Sequence, residues 1–293
     1  MKNTIFKGMA SAVVTPMNEN GVDYEAFGRF IDFQIENGIN ALVVVGTTGE
    51  NATLEPWEQK EVIRFAVEHT AGRVPVIAGT GTNNTEHVLH NTRNACEVGV
   101  DAVLVVTPYY NRGTREGIKR HFLSIAEESA APVILYNVPA RTGCNLTLAD
   151  YEGILPHPNV AGVKEAEENV EKFFALCEAF GREKAIYTGS DAFLLPSLAL
   201  GGAGVISVLS NLYPDRVHMT IRSFVRGDIA GARRTYAKLS PLCSLLFRET
   251  SPAPVKEALK QMGYGNGSCR LPLSAPSDGL CAEIKRDISR LST

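Results

Sequence analysis

A chain of 293 residues, 44% of them hydrophobic, has apolar material for one sizeable core, and α/β barrels commonly take about 250 residues as a single domain. Its 29 basic and 32 acidic residues leave a net charge of -3, which supplies no basic field for nucleic acid or an anionic membrane, so neither partner is expected. No apolar run reaches the roughly 20 residues of a membrane span, and the basic stretch Met1–Lys7 leads into a segment too short and too mixed for a signal peptide. Six cysteines, without C-x-x-C spacing, fit reduced thiols, and His87 and His90 have no Cys or carboxylate at ligand spacing. A cytoplasmic protein with no metal and no cofactor is the expectation.

Apolar runs rich in Val, Ile and Ala recur at Met9–Val14, Ala41–Val45, Val74–Ala78, Ala102–Val106, Val133–Tyr136, Val160–Val163, Ala185–Tyr187 and Gly204–Val208. Runs of that length and composition predict eight buried strands. Between them lie segments of helical period, such as Tyr24, Phe27, Ile31 and Ile35 closing at Gly38, and Val88, Thr92, Ala95 and Val98 closing at Gly99. Both glycines suit left-handed C-terminal caps. Thr114 marks another helix start, as does Thr147 with Asp150 three residues on, because their side-chain oxygens can accept first-turn amides. Eight strand-then-helix units predict a parallel sheet closed into a (β/α)8 TIM barrel. The barrel is expected to occupy residues 1–226. Residues 227–293 read as a helical extension with breaks at Pro241, Pro252 and Pro254, a turn through Gly263, Gly265 and Gly267, and a last helix around Ile284–Leu291.

Catalytic groups of such barrels gather at the C-terminal ends of the strands. There the sequence reads GTTGE (Gly46–Glu50), GTG (Gly79–Gly81), TPYYNR (Thr107–Arg112), YNVPARTG (Tyr136–Gly143), GVKEA (Gly162–Ala166) and TGSD (Thr188–Asp191). Lys164 is the lysine embedded in a strand-like run, where desolvation disfavours the ammonium and frees a neutral amine to attack a carbonyl. A strand-end lysine that reaches solvent, or pairs with Glu165 or Glu167, is the alternative. Tyr136 and Tyr110 offer phenols for proton transfer or rings for rim packing, and Thr47 offers a hydroxyl that can link them. Adjacent threonines between glycines in GTTGE present hydroxyls and backbone amides at one point, which suits a carboxylate or a phosphate. Signals for nucleotide binding or serine hydrolysis are missing from the sequence.

Taken together, GTTGE, TPYYNR, YNVPARTG and GVKEA, in this order and spacing, resemble the dihydrodipicolinate synthase and N-acetylneuraminate lyase family of pyruvate-dependent class I aldolases. The likeness covers essentially the whole chain, including the tail segments SPAPVKEAL (Ser251–Leu259) and CRLPL (Cys269–Leu273). It implies that Lys164 forms a Schiff base with pyruvate, that Thr47 and Thr48 meet the pyruvate carboxylate, and that Tyr136, Thr47 and Tyr110 form a proton relay. Tyr110 would then reach across a dimer interface. The resemblance further implies that Arg141 holds the carboxylate of L-aspartate 4-semialdehyde as second substrate. Gly189 and Ile206 would supply backbone contacts near the imine. A homotetramer built from two tight dimers would be the assembly. Regulated members of the family bind L-lysine at the dimer interface; Asn51, Ala52, Asn83 and Tyr109 fall on that site, whereas Pro56, Gln59 and His87 depart from its bacterial pattern.

Two other readings remain open at this point. A sibling aldolase acting on a sugar-derived 2-oxo acid would share the lysine and tyrosine but not the arginine, so Arg141 favours a second substrate with a carboxylate. A catalytically silent pyruvate-binding protein is the other, since a fold does not guarantee turnover.

Overall fold

A computed structural model describes residues 4–292; Met1, Lys2 and Asn3 of the basic N-terminal stretch lie outside the described residues. Eight parallel strands close into a barrel: β1 (Gly8–Ala12), β2 (Ala41–Val44), β3 (Val76–Gly79), β4 (Ala102–Val106), β5 (Val133–Asn137), β6 (Val160–Glu165), β7 (Ala185–Thr188) and β8 (Gly204–Ser207). They follow one another around the barrel in chain order, with β8 beside β1. Each of the eight apolar runs therefore became a strand, displaced by at most a few residues at its ends.

The helices between them are α1 (Tyr24–Glu36), α2 (Pro56–Thr70), α3 (Thr85–Val98), α4 (Arg115–Glu128), α5 (Pro139–Thr142), α6 (Leu148–Glu152), α7 (Val170–Phe180) and α8 (Leu194–Ala199), and α9 (Pro214–Val225) follows β8. Local chemistry sets their ends. Gly99 caps α3 with φ 92°, a left-handed conformation that costs glycine nothing. At α1 the cap is Asn37, and Gly38 takes the left-handed conformation one residue later. Thr114 Oγ1 accepts from Gly117 N at 3.2 Å. Thr147 and Asp150 form a reciprocal capping box, with Asp150 Oδ2 accepting from Thr147 N at 2.7 Å.

Three helices follow, α10 (Ile229–Leu245), α11 (Ala253–Gln261) and α12 (Asp278–Ser292). Pro252 and Pro254 sit at the start of α11, and Gly263, Gly265 and Gly267 all adopt positive φ in the turn after it. Pro241, in contrast, does not break the chain, because α10 runs through it. A proline removes one helical hydrogen bond, and the buried Leu239, Leu242 and Cys243 around it anchor the same turn by packing. A short antiparallel hairpin, Met17–Asn18 with Gly21–Val22, is an addition that the hydrophobic pattern does not announce.

The described residues group into two compact units, one of 4–8 with Pro75–Ile206 and one of Met9–Val74 with 207–292. In the first, the buried Ile77, Leu104, Ile134 and Ile186 of the strands and Phe122 and Phe173 of the helices form the core. In the second, Phe27, Phe30 and Ile31 of α1 are buried, as are Leu42 on β2 and Leu239, Val255 and Ile284 of the C-terminal helices. Among the described residues no helix is long and apolar enough to cross a membrane.

Candidate active site

Within the first unit, β5 and β6 run in parallel register with Tyr136 beside Lys164, both near the C-terminal ends of their strands. Lys164 is 5% exposed and its Nζ lies 4.2 Å from the centroid of the Tyr136 ring. Burial pulls its pKa down from the ordinary lysine value of 10.5 to about 7; the Asp191 carboxylate opposes that shift and the Arg141 guanidinium adds to it. The amine thus carries a large neutral fraction at physiological pH, which a nucleophile toward a carbonyl requires. The displacement amounts to about 5 kcal/mol between the two protonation states. Neither Glu165 nor Glu167 is the partner of Lys164; both pair with Lys172, Nζ to oxygen 2.9 Å in each case.

Gly189 follows directly on the end of β7 and lies against the lysine stem. A Cβ at this position would stand 2.9 Å from Lys164 Cε and 2.8 Å from Ala166 Cβ. Only a glycine leaves the side chain of Lys164 its present path. Gly189 N donates to Glu165 O at 2.7 Å, which ties the two strand ends together. Val205 of β8 pairs with Thr188, so the backbone of Ile206 comes level with Gly189; its side chain is fully buried. Arg141 is exposed on α5, a single turn that starts at Pro139 and stops at Gly143 with φ 65°.

Tyr110 is a separate case. It is 88% exposed and held at φ 73°, an uncommon backbone conformation for a residue with a Cβ. Such strain persists where the surrounding structure dictates it. Asn111, next in the chain, fixes the loop through Nδ2 donating to Asn83 O at 2.9 Å.

Thr47 and Thr48 belong to the second unit, on the turn after β2. Thr48 is buried and Thr47 half-buried. Val45 at φ 53° and Glu50 at φ 60° bracket this turn, and a β-branched residue with positive φ is a genuine outlier. What holds the turn is a set of contacts between motifs far apart in the sequence. Glu50 is buried and its Oε1 lies 2.5 Å from Lys256 Nζ of α11, while its Oε2 accepts from Arg270 N at 3.1 Å. Lys256 Nζ also donates to Thr15 O at 2.9 Å, and Thr15 Oγ1 donates to Gly49 O at 2.7 Å. Arg270 makes a two-pronged pair with Glu58, 2.6 Å on each prong. The segments SPAPVKEAL and CRLPL thereby brace the GTTGE turn.

The structure accordingly brings together Lys164, Tyr136, Gly189 and the backbone at Ile206, with the charges of Arg141 and Asp191 felt at the amine. Asp191, buried and two residues past Gly189, was not among the candidate site residues, although TGSD placed it at a strand end.

Residues 5–291 match the sequence pattern of the Dihydrodipicolinate synthetase family. The chain belongs to that family. A relative from Nitratidesulfovibrio vulgaris, named 4-hydroxy-tetrahydrodipicolinate synthase, is 47% identical over 271 residues, covering 92% of each chain. Dihydrodipicolinate synthase from Aquifex aeolicus superposes with a TM-score of 0.96 at 39% identity, covering 98% of both chains. The chloride-inhibited dihydrodipicolinate synthase from Acinetobacter baumannii, solved with pyruvate, superposes with a TM-score of 0.95 at 36% identity, covering 99% of both chains. Dihydrodipicolinate synthetase family membership thus extends over the whole barrel and the C-terminal helices alike.

Proposed function

We propose that this chain is a 4-hydroxy-tetrahydrodipicolinate synthase, condensing pyruvate with L-aspartate 4-semialdehyde in the diaminopimelate route to lysine. The observation that carries the proposal is a buried Lys164, with a pKa of about 7, set 4.2 Å from the ring of Tyr136. The neutral amine adds to the pyruvate ketone to give a carbinolamine, which loses water to form an imine. The imine withdraws electrons, so a methyl proton leaves and an enamine carbon attacks the aldehyde. The amine of the second substrate then adds to the imine carbon, closing the ring and releasing Lys164.

Tyr136 shuttles protons at the carbinolamine oxygen, in relay with Thr47 and with Tyr110 from a neighbouring subunit. Thr47 and Thr48 receive the pyruvate carboxylate. Gly189 and Ile206 present their backbone to the imine, and Arg141 takes the carboxylate of the aldehyde substrate. Arg141 supports this reaction over that of a sibling aldolase acting on a sugar-derived 2-oxo acid, because its guanidinium, near enough to lower the Lys164 pKa, suits a second substrate with a carboxylate of its own. The working assembly is a homotetramer of two tight dimers in the cytoplasm.

The test is borohydride reduction in the presence of pyruvate. A reduced pyruvyl adduct on Lys164, absent in Lys164→Ala, is the expected result, together with consumption of aspartate semialdehyde in an assay coupled to the next reductase. An adduct on another lysine, or none, would overturn the assignment.

A further inference from the structure

Successive residues of a strand face opposite sides of the sheet. Tyr136 and Lys164 are paired across β5 and β6, and so are Asn137 and Glu165, the next residue on each strand. The first pair faces the chemistry. The second builds a buried polar hub behind it.

Glu165 has a fully buried side chain, and five hydrogen bonds converge on its carboxylate. Oε1 accepts from Asn137 Nδ2 at 2.8 Å and from Glu167 N at 2.9 Å. Oε2 accepts from Tyr151 OH at 2.8 Å, from Lys172 Nζ at 2.9 Å and from Asn137 Nδ2 at 3.1 Å. Burial and the Glu165 charge push the Tyr151 phenol well above its ordinary pKa, which keeps it a donor. The hub reaches outward through Asn145. Its Oδ1 accepts from Asn137 Nδ2 at 2.9 Å and from Lys172 Nζ at 2.9 Å, and Asn137 Oδ1 accepts from Leu146 N at 3.2 Å. The segment from Val138 to Leu146, which carries Arg141, leaves the end of β5 and returns to be pinned to Asn137 and Lys172, both of which bond to the Glu165 carboxylate next to Lys164.

We propose that Glu165 is a positioning residue that, through Asn137, Lys172 and Asn145, fixes the Arg141 loop relative to Lys164 and so sets the affinity for the anionic second substrate. The proposal rests on the assignment of Arg141 to that substrate's carboxylate. Four donors on one buried carboxylate are more than strand pairing requires, and two of them, Asn137 and Lys172, also bond to Asn145 at the end of the Arg141 loop. Loosening the loop displaces the guanidinium, and a displacement of about 1 Å costs up to roughly a hundredfold where geometry decides binding.

The experiment uses the full chain and two variants, Glu165→Gln and Asn145→Ala. Asn145 is exposed, so its variant cuts the link to the loop while leaving the buried carboxylate and its other partners in place. The KM for aspartate semialdehyde, the KM for pyruvate and the rate of borohydride trapping at Lys164 are read for each. Both variants are expected to raise the KM for the aldehyde by roughly tenfold with trapping unchanged. In an Arg141→Ala background, Asn145→Ala is expected to add nothing. An unchanged aldehyde KM, an equal rise in both KM values, or full additivity with Arg141→Ala overturns the proposal even where trapping is normal. Should Glu165→Gln fail to fold, Asn145→Ala decides alone. Unaltered protein that traps no pyruvate overturns the functional reading, and this proposal with it.

Discussion

Lys256 Nζ stands 2.5 Å from Glu50 Oε1, a buried ion pair between residues 206 positions apart that joins α11, the second of the three C-terminal helices, to the turn bearing Thr47 and Thr48. Removing one partner strands the other charge in a low-dielectric site, whereas removing both leaves no orphan. Lys256→Met is expected to cost about 3 to 5 kcal/mol in denaturant unfolding, and Lys256→Met with Glu50→Gln clearly less. Equal losses in the single and double variants would show that the pair contributes through packing alone.

The lowered pKa of Lys164 sets a pH dependence with a definite sign. Imine formation with pyruvate, followed by borohydride trapping, is expected to rise about tenfold per pH unit up to about 7 and to level off above it. Asp191→Asn removes a charge that raises this pKa and moves the midpoint down; Arg141→Ala removes one that lowers it and moves the midpoint up. Because the folded pKa lies below the unfolded value, the unfolded chain holds the extra proton between about 7 and 10.5, and stability rises with pH across that window. Lys164→Met is therefore expected to gain most over the unaltered chain below pH 7, measured as unfolding midpoint against pH.

Gly189→Ala places a methyl 2.9 Å from Lys164 Cε and 2.8 Å from Ala166 Cβ, closer than carbon atoms approach. The flexible lysine yields before the backbone does. A loss of trapping by tenfold or more, with a change in stability of about 1 to 3 kcal/mol, is the expected outcome. Trapping at the normal rate would show that the stem has room to move aside.

Tyr110, 88% exposed with a strained backbone, is assigned to a neighbouring subunit's site. Mixed dimers of Tyr110→Phe and Lys164→Ala subunits are expected to recover activity that neither parent has. One of their two sites holds an intact lysine and an intact donated tyrosine. Confirmed mixed dimers without recovery would return Tyr110 to its own subunit or remove it from the relay.

Feedback by L-lysine is expected to be weak. Gln59 Nε2 already donates to Asn51 O at 2.8 Å and to Leu54 O at 3.2 Å, and His87, one of the positions that depart from the regulated pattern, offers no carboxylate to pair with the ligand's ammonium. A lost charge-assisted contact of about 1.5 to 3 kcal/mol moves inhibition from sub-millimolar lysine to several millimolar or beyond. Strong inhibition at sub-millimolar lysine that disappears in Tyr109→Ala would contradict this.

The eight strands, the helix starts at Thr114 and Thr147 and the caps near Gly38 and Gly99 were legible in the sequence because each rests on residues a few positions apart. Lys164 was legible for the same reason: a charged residue inside an apolar run conflicts with its surroundings, and the conflict is visible locally. The hairpin at Met17–Val22 was not, since two-residue strands carry no period, and Pro241 misled because the packing of Leu239 and Leu242 outweighs one lost hydrogen bond. Tertiary structure alone decided which charges are buried besides Lys164. Lys256 and Lys172 read in sequence as ordinary solvated lysines, and only the fold, by bringing donors from distant segments onto the Glu50 and Glu165 carboxylates, removes water from these pairs and makes them the frame on which the site is held.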